Sequence, residues 1–197
     1  IVVDGMEGGT GASAEICQEH TGIPTLAAVC EARAALEDIG MYGEVQLIIA
    51  GGIRNGVDAA KAMALGADAI YIGTSALMAL NCNKPIHVED YKALGAEPYH
   101  CHHCHTGLCP VGITTQDETL MKRLDIEEAS ERVANLLQAM TSEIQILARS
   151  CGKADVHDLE PEDMRALSSE ASMICDLPLV GTNRIVGGGP GWKSRHE

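Results

Sequence analysis

The sequence predicts an α/β protein in which a small parallel sheet with helices is followed by a cysteine-rich segment and a helical tail. Short β-branched runs alternate with segments of helical periodicity, each run ends at glycines, and a long helical pattern occupies the second half. The 197 residues are 46% hydrophobic and include no Phe. This composition suits a folded domain with an aliphatic core.

Three buried strands alternate with three helices in the first 80 residues. We predict strands at 1–4, 45–50 and 67–72 and helices at 24–39, 56–65 and 75–80, with Gly40 and Gly66 ending the first two helices. Because a chain rarely begins inside a buried strand, we expect the natural domain to start before Ile1. Such βαβ units build a parallel sheet, in either an open doubly wound fold or an eight-stranded barrel.

The remaining chain divides into three segments. Residues 81–117 are predicted to be an inserted loop with a cysteine cluster, because residues 81–100 show little periodicity. A helical pattern over 117–151, with Asp117 as its N-cap, opens a helical tail at 118–181. Residues 182–197 are glycine-rich and are expected to be a flexible C-terminus.

Charge and hydropathy exclude several classes of partner. The formal net charge of -14 argues against binding to nucleic acid or to an anionic membrane, because both require a basic face. No apolar run approaches the ~20 residues of a spanning helix, and no leader sequence opens the chain. We therefore expect a soluble, cytoplasmic protein.

Glycine-rich turns follow all three predicted strands. Gly51 and Gly52 follow the second strand, and Gly73 and Thr74 follow the third, so that backbone N–H groups could cradle the phosphate of a flavin or nucleotide. Arg54 is a candidate contact to phosphate or substrate. The alternative interpretation is that these glycines only turn corners, but two such turns in adjacent units favour a phosphate site.

The turn after the first strand carries two carboxylates and a hydroxyl that could orient a substrate. Its glycines would permit close approach of a flat cofactor. The candidate residues are Asp4, Glu7, Gly8, Gly9 and Thr10.

A dense cysteine segment predicts a metal or cluster site. Cys101, Cys104 and Cys109 lie within nine residues of chain, with three histidines among them and Pro110 after the last. Thiolates at such short spacing around a turn suit an iron–sulfur cluster, with zinc as the alternative because a Cys₃His site is also available.

Four motifs together resemble the FMN-binding domain of glutamate synthase, especially its archaeal-type form. They are Asp4-Gly-Met-Glu-Gly-Gly-Thr-Gly-Ala12, Ile49-Ala-Gly-Gly-Ile-Arg-Asn-Gly56, Leu65-Gly-Ala-Asp-Ala-Ile-Tyr-Ile-Gly-Thr74 and Cys104-His-Thr-Gly-Leu-Cys-Pro-Val-Gly-Ile-Thr-Thr-Gln-Asp117. They follow the family's order over about residues 1–150. The middle two motifs would also fit inosine monophosphate dehydrogenase or 2-hydroxy-acid oxidases. Inosine monophosphate dehydrogenase would carry its catalytic cysteine in the loop after strand six, and the first of the four motifs contains no cysteine.

The resemblance implies that residues 1–80 are about strands 6–8 of a (β/α)₈ TIM barrel. In that family FMN passes electrons to a 2-iminoglutarate formed from 2-oxoglutarate and ammonia, and glutamate results. Gly51, Gly52, Gly73 and Thr74 would bind the FMN phosphate, and a 3Fe-4S cluster would relay electrons. The catalytic residues are unknown and expected upstream of residue 1. The expected partner is an amidotransferase or reductase subunit or domain, with free or glutamine-derived ammonia.

The cysteine spacing departs from the family pattern. The family's first cluster cysteine directly follows the last barrel helix and lies five residues before the second. Cys82 has the first property, but residues 83–100 separate it from Cys104, whereas Cys101 lies close in a Cys-x₂-Cys arrangement. The candidate metal ligands are therefore Cys82, Cys101, Cys104 and Cys109. Cys104 and Cys109 would be two of the ligands, the third is either Cys82 or Cys101, and a four-cysteine, 4Fe-4S cluster is implied if both bind.

Three functional hypotheses follow. The first is an FMN- and iron–sulfur-dependent glutamate synthase-like oxidoreductase, truncated at its N-terminus. The second is a cluster- or zinc-binding module for electron transfer or structure, without independent catalysis. The third is a degenerate homologue in which the insertion has cost the cluster. Visible absorption distinguishes them, because flavin, iron–sulfur and zinc sites absorb differently.

Overall fold

The computed structural model describes residues 1–9 and 15–187, which contain a three-stranded parallel sheet flanked by helices. The strands are β1 (Val2–Asp4), β2 (Ile48–Ala50) and β3 (Ala69–Ile70), in the order β1-β2-β3. Val2 pairs with Ile48, and Ile48 pairs with Ala69. The predicted α/β class with a parallel sheet is confirmed.

The second and third strands are shorter than predicted. Ahead of β2, the backbone N–H of Leu47 donates to the Asp68 carboxylate at 2.7 Å, and Asp68 N–H donates back to the Leu47 carbonyl at 2.8 Å. The Asp68 carboxylate therefore accepts a hydrogen bond that a backbone carbonyl of the neighbouring strand would otherwise accept.

Helices connect the strands much as the sequence indicates. The sequence of helices is α1 (Glu15–His20), α2 (Thr25–Asp38), α3 (Gly56–Ala64) and α4 (Thr74–Ala79). Gly40 (φ 67°) follows α2 and Gly66 (φ 115°) follows α3, so both helices end at left-handed glycines, as predicted. Asn55 caps α3, because its side chain accepts the Asp58 N–H at 2.9 Å.

The second half contains α5 (Val88–Ala93), α6 (Glu118–Met121), α7 (Ile126–Ser150) and α8 (Ser169–Cys175), with two short 3₁₀ turns between α7 and α8. The prediction of an inserted loop without regular structure at 81–100 is wrong, since α5 lies within it. The prediction of one helical run over 117–151 is also wrong. Asp117 caps α6 as expected, but Asp125 accepts the Glu128 N–H and starts a second helix.

The segment boundaries at 80, 117 and 181 remain predictions. Residues 188–197 of the predicted flexible C-terminus lie outside the described residues. No helix within the described ranges is both long and apolar enough to cross a membrane.

An aliphatic core lies between the sheet and the helices. Its members include Val29, Leu47, Ile49, Leu65 and Met140. Leu47 and Ile49 are 0% exposed, and burial of each side chain contributes about 1.5–3 kcal/mol. The core fixes the carboxyl ends of the strands relative to α2 and α3.

Helix α7 packs closely on α3 at a glycine. A Cβ at Gly56 would lie 2.3 Å from the Met140 carbonyl oxygen, so no larger residue fits without a shift. The Gly56 N–H donates to Glu143 Oε2 at 2.6 Å. This contact anchors the long helix of the tail against the sheet-forming segment.

Candidate functional site

The turns that follow the three strands meet at one edge of the sheet, because the strands are parallel. They border an open cleft of about 970 Å³. The cleft is lined by predicted residues of both groups, namely Asp4, Glu7, Gly8, Gly9, Gly51, Gly52, Arg54, Gly73 and Thr74. Thr10 lies outside the described residues. The structure thus brings the predicted cofactor and substrate residues together, while their ligands remain a prediction.

Several further residues line the cleft that the sequence did not indicate. Tyr71 follows β3 and is 54% exposed, which is a large exposed fraction for an aromatic side chain. Met78 of α4 and Leu136 of α7 supply apolar surface. An aromatic residue between a strand and its glycine turn was the available signal for Tyr71, whereas Leu136 comes from a distant helix.

The first two turns touch backbone to backbone. Gly5 N–H donates to the Ala50 carbonyl at 2.9 Å. Gly51 has φ 102°, and a Cβ there would lie 2.7 Å from Thr25 Oγ1 and 3.0 Å from Gly5 N. Both the left-handed conformation and the lack of space require glycine at this position. The first and second turns are therefore held together by direct contact of their backbones.

Glu7 has a structural partner at the start of α2. The Thr25 N–H donates to Glu7 Oε2 at 2.8 Å and the Thr25 hydroxyl donates to it at 2.6 Å. Burial opposes ionisation of Glu7, but the bonds from Thr25 outweigh it and lower the pKa of the carboxyl. Glu7 therefore holds the first turn against the helix as a carboxylate.

Arg54 lies at the rim of the cleft. Its side chain is 78% exposed and pairs with Asp58, with Nε 2.9 Å from Oδ2. The hydrogen bond from Arg54 lowers the pKa of Asp58. A phosphate entering the cleft would compete with Asp58 for the guanidinium.

Two cysteines distant in sequence are brought together beyond α4. Cys82 follows this helix, and its N–H donates to the Leu77 carbonyl at 2.9 Å. Asn83 then closes the segment 83–100: its carbonyl accepts the Tyr99 N–H at 3.0 Å, and its Oδ1 accepts the Cys101 N–H at 3.0 Å. After residue 99 the chain therefore returns to Asn83, and this places Cys101 near Cys82.

The four predicted ligand cysteines are electrostatic neighbours and are all free thiols. Burial raises the pKa of Cys82 to about 11, and Cys104, Cys109 and Cys101 add to the effect. Burial likewise raises the pKa of Tyr91 to about 12, with contributions from Cys101, Cys82 and Cys109. Three of the four cysteines therefore lie near one buried phenol.

Cys109 differs from Cys82 and Cys101, whose thiol pKa values are raised by burial. Burial opposes its ionisation, but backbone N–H groups of Thr114, Val111 and Ile113 outweigh that effect and lower the pKa of the thiol. A ring of backbone donors around a sulfur stabilises thiolate, which is the form that binds iron or zinc.

In the described part of the chain, no three His, Cys, Asp or Glu side chains are placed as ligands of a metal ion. The chemistry of the set nonetheless fits a sulfur-ligated group: four neighbouring thiols, one sulfur held by N–H donors, and a buried Tyr91 hydroxyl without a partner among the described residues.

A family model described as a conserved region in glutamate synthase matches residues 1–154. The chain belongs to the glutamate synthase family. A glutamate synthase large subunit-like protein of Rhizobium meliloti (strain 1021) is 50% identical over 189 residues, which are 96% of this chain and 43% of that protein. The resemblance stated from the motifs is thereby confirmed.

Other members of the glutamate synthase family are also similar. An archaeal glutamate synthase (NADPH) of Methanocaldococcus jannaschii is 42% identical over 159 residues, 81% of this chain and 28% of the relative. An archaeal-type glutamate synthase (NADPH) of Dehalococcoides mccartyi is 37% identical over 185 residues, 92% of this chain and 34% of the relative. The chain spans less than half the length of each of these relatives.

Proposed function

We propose that this chain is part of an FMN- and iron–sulfur-dependent glutamate synthase, which reductively aminates 2-oxoglutarate to glutamate. Residues 1–80 would form about strands 6–8 of a TIM barrel, where cofactors bind at the carboxyl ends of the strands. The observation that carries the proposal is the single cleft of about 970 Å³ that collects all the described cofactor and substrate candidates at that edge.

The FMN phosphate would lie over the turns at Gly51, Gly52, Gly73 and Thr74, with Arg54 as its cation. Backbone N–H groups and a guanidinium suit a phosphate, and the open cleft beside them leaves room for it. FMN, when bound, supplies two-electron reduction of the imine. The residues of the chain hold and orient it, and Glu7 keeps the first turn in place through Thr25.

The four cysteines would hold the iron–sulfur cluster, with Cys82 and Cys101 both as ligands. Support comes from the closure at Asn83, which returns Cys101 to the vicinity of Cys82. Helix α4 begins in the cleft at Thr74 and ends just before Cys82. At 1.5 Å per residue the six residues of α4 span about 9 Å, and this helix links the proposed flavin cleft to the cysteine segment.

Other subunits or domains would supply ammonia and reducing equivalents. The proposal therefore includes an amidotransferase or reductase partner and either free or glutamine-derived ammonia. The less-than-half coverage of the relatives supports it, since much of their length lies outside the matched region.

Anaerobic expression of the natural gene product that contains this chain tests the proposal. Visible spectra and flavin, iron, sulfide and zinc analysis should show FMN with a 3Fe-4S or 4Fe-4S complement of iron. Thr74→Asp should abolish flavin binding because its carboxylate would repel the phosphate, whereas Ser142→Asp on exposed α7 surface should not. Zinc without flavin would overturn the proposal.

A further inference from the structure

We propose that the Tyr91 hydroxyl donates a hydrogen bond to the cluster bound by the four cysteines and thereby raises its reduction potential. The inference rests on the proposed function and extends it to a residue outside the four motifs. Tyr91 would be a positioning residue, because it acts on the cluster and not on substrate.

Tyr91 is an unexplained polar group. It is 1% exposed, and its hydroxyl has no hydrogen-bond partner within residues 1–9 and 15–187. Leaving a buried hydroxyl unpaired costs about 1–3 kcal/mol, so such groups usually meet an acceptor. A bound cluster would supply that acceptor.

Cysteine sulfur atoms are among the groups that pack around Tyr91. Tyr91 packs with Cys109 and Val111, and Cys101 lies against the same group. Cys82 is also an electrostatic neighbour of the phenol. A neutral thiol is a weak acceptor, but a metal-bound thiolate or sulfide carries negative charge and accepts strongly. The hydroxyl therefore gains its partner when the cluster is present.

The position of Tyr91 relative to the cysteine segment is held by Arg123. One terminal nitrogen, Nη1, donates to Asp90 Oδ2 at 2.8 Å and to the Pro110 carbonyl at 2.8 Å. Asp90 precedes Tyr91 on α5, and Pro110 follows Cys109. Arg123 therefore bridges the residue before Tyr91 and the residue after Cys109, which fixes the distance between these two parts of the chain.

The sign of the effect follows from charge. Reduction adds one electron to the cluster, so a hydrogen-bond donor stabilises the reduced form more than the oxidised form. Removal of the hydroxyl should therefore lower the midpoint potential without removing a ligand.

The test compares Tyr91→Phe with Tyr99→Phe in the natural gene product. Tyr99 lies in the same segment but is 60% exposed, which makes it the matched control. We expect unchanged iron and sulfide content in both, a lower midpoint potential by redox titration followed with electron paramagnetic resonance in Tyr91→Phe, and no shift in Tyr99→Phe. Equal potentials in two iron-loaded variants would overturn the role of Tyr91 while leaving the proposed function intact.

A second measurement tests the inference if Tyr91→Phe fails to bind the cluster. Wild-type protein made with ring-deuterated tyrosine should show deuterium coupled to the cluster by electron–nuclear double resonance, and Tyr99→Phe should keep that signal. Its absence from iron-loaded wild type would overturn the inference. A wild type without iron would overturn both the inference and the proposed function.

Discussion

Asn83 is the residue whose replacement best tests how the cysteines are brought together. It has φ 62°, and it accepts two hydrogen bonds, one on its carbonyl from Tyr99 and one on its side chain from Cys101. Asn83→Gly keeps the left-handed backbone but removes the side-chain acceptor. Asn83→Ala removes the acceptor and adds strain, whereas Asn83→Asp retains both features.

The magnitudes follow from these two contributions. A lost hydrogen bond costs about 1 kcal/mol, and greater chain freedom in the glycine variant adds about 0.5–1 kcal/mol. Left-handed strain adds about 1–2 kcal/mol in the alanine variant. With about 1.4 kcal/mol per factor of ten, opening of the segment should rise about 10- to 30-fold for Asn83→Gly and about 30- to 150-fold for Asn83→Ala.

Hydrogen exchange of the Tyr99 amide measures that opening. This amide donates to the Asn83 carbonyl, which all the variants retain, so its exchange reports closure and not the deleted bond. We expect wild type and Asn83→Asp to exchange at similar rates, Asn83→Gly faster and Asn83→Ala fastest. Wild-type exchange in all three variants would refute the idea that Asn83 holds Cys101 beside Cys82.

Three further predictions concern the fold and the cleft. Gly56→Ala should destabilise the protein by about 2–4 kcal/mol in urea unfolding, because the new Cβ overlaps α7, and unchanged stability would contradict the packing described. Glu7→Gln should lose about 1 kcal/mol at pH 7. Since the folded-state pKa of Glu7 is lowered from 4.5, that stability is present above pH 4.5 and disappears as the pH falls through the folded-state value, so thermal melts should show a gap that closes in acid; a constant gap would contradict it. Gly51→Ala should weaken flavin binding at least about 10-fold in a fluorescence titration. Strain at this left-handed position should distort the turn that is proposed to hold the phosphate, and a loss of about 1.4 kcal/mol in binding free energy corresponds to that 10-fold change. Gly40→Ala is its control, since φ is also left-handed there and the Cβ would meet open space, and equal losses in both would contradict the role of the cleft.

Local patterns predicted much of the sheet-forming segment. The β-branched runs and the glycines that end α2 and α3 act over a few residues, so they are visible in sequence. The carboxyl ends of parallel strands must share an edge, and the gathering of Gly51, Gly73 and Asp4 at one cleft follows from topology. The helix break before Asp125 was missed because apolar periodicity continues across it.

Long-range contacts account for what the sequence left undetermined. Helix α5 has only six residues and depends on burial of Tyr91 and on the ion pair of Asp90 with Arg123, 33 positions away. The partner of Glu7 lies 18 positions away at Thr25. No periodicity or spacing encodes such pairings, because they form only when separate elements pack.

The closure at Asn83 has an implication for how this part of the chain can change. Residues 84–100 leave and re-enter at nearly the same point, since Asn83 is hydrogen-bonded directly to Cys101. The entropic cost of such an excursion grows only with the logarithm of its length, by about 0.6 kcal/mol per doubling. Lengthening or trimming at its exposed positions, away from Asp90 and Tyr91, would leave the course of the chain through Cys104 and Cys109 unaltered, because those two residues carry the contacts to the cysteine segment. Residues 84–100 can thus present different side chains near Cys104 and Cys109 without a change in the surrounding structure.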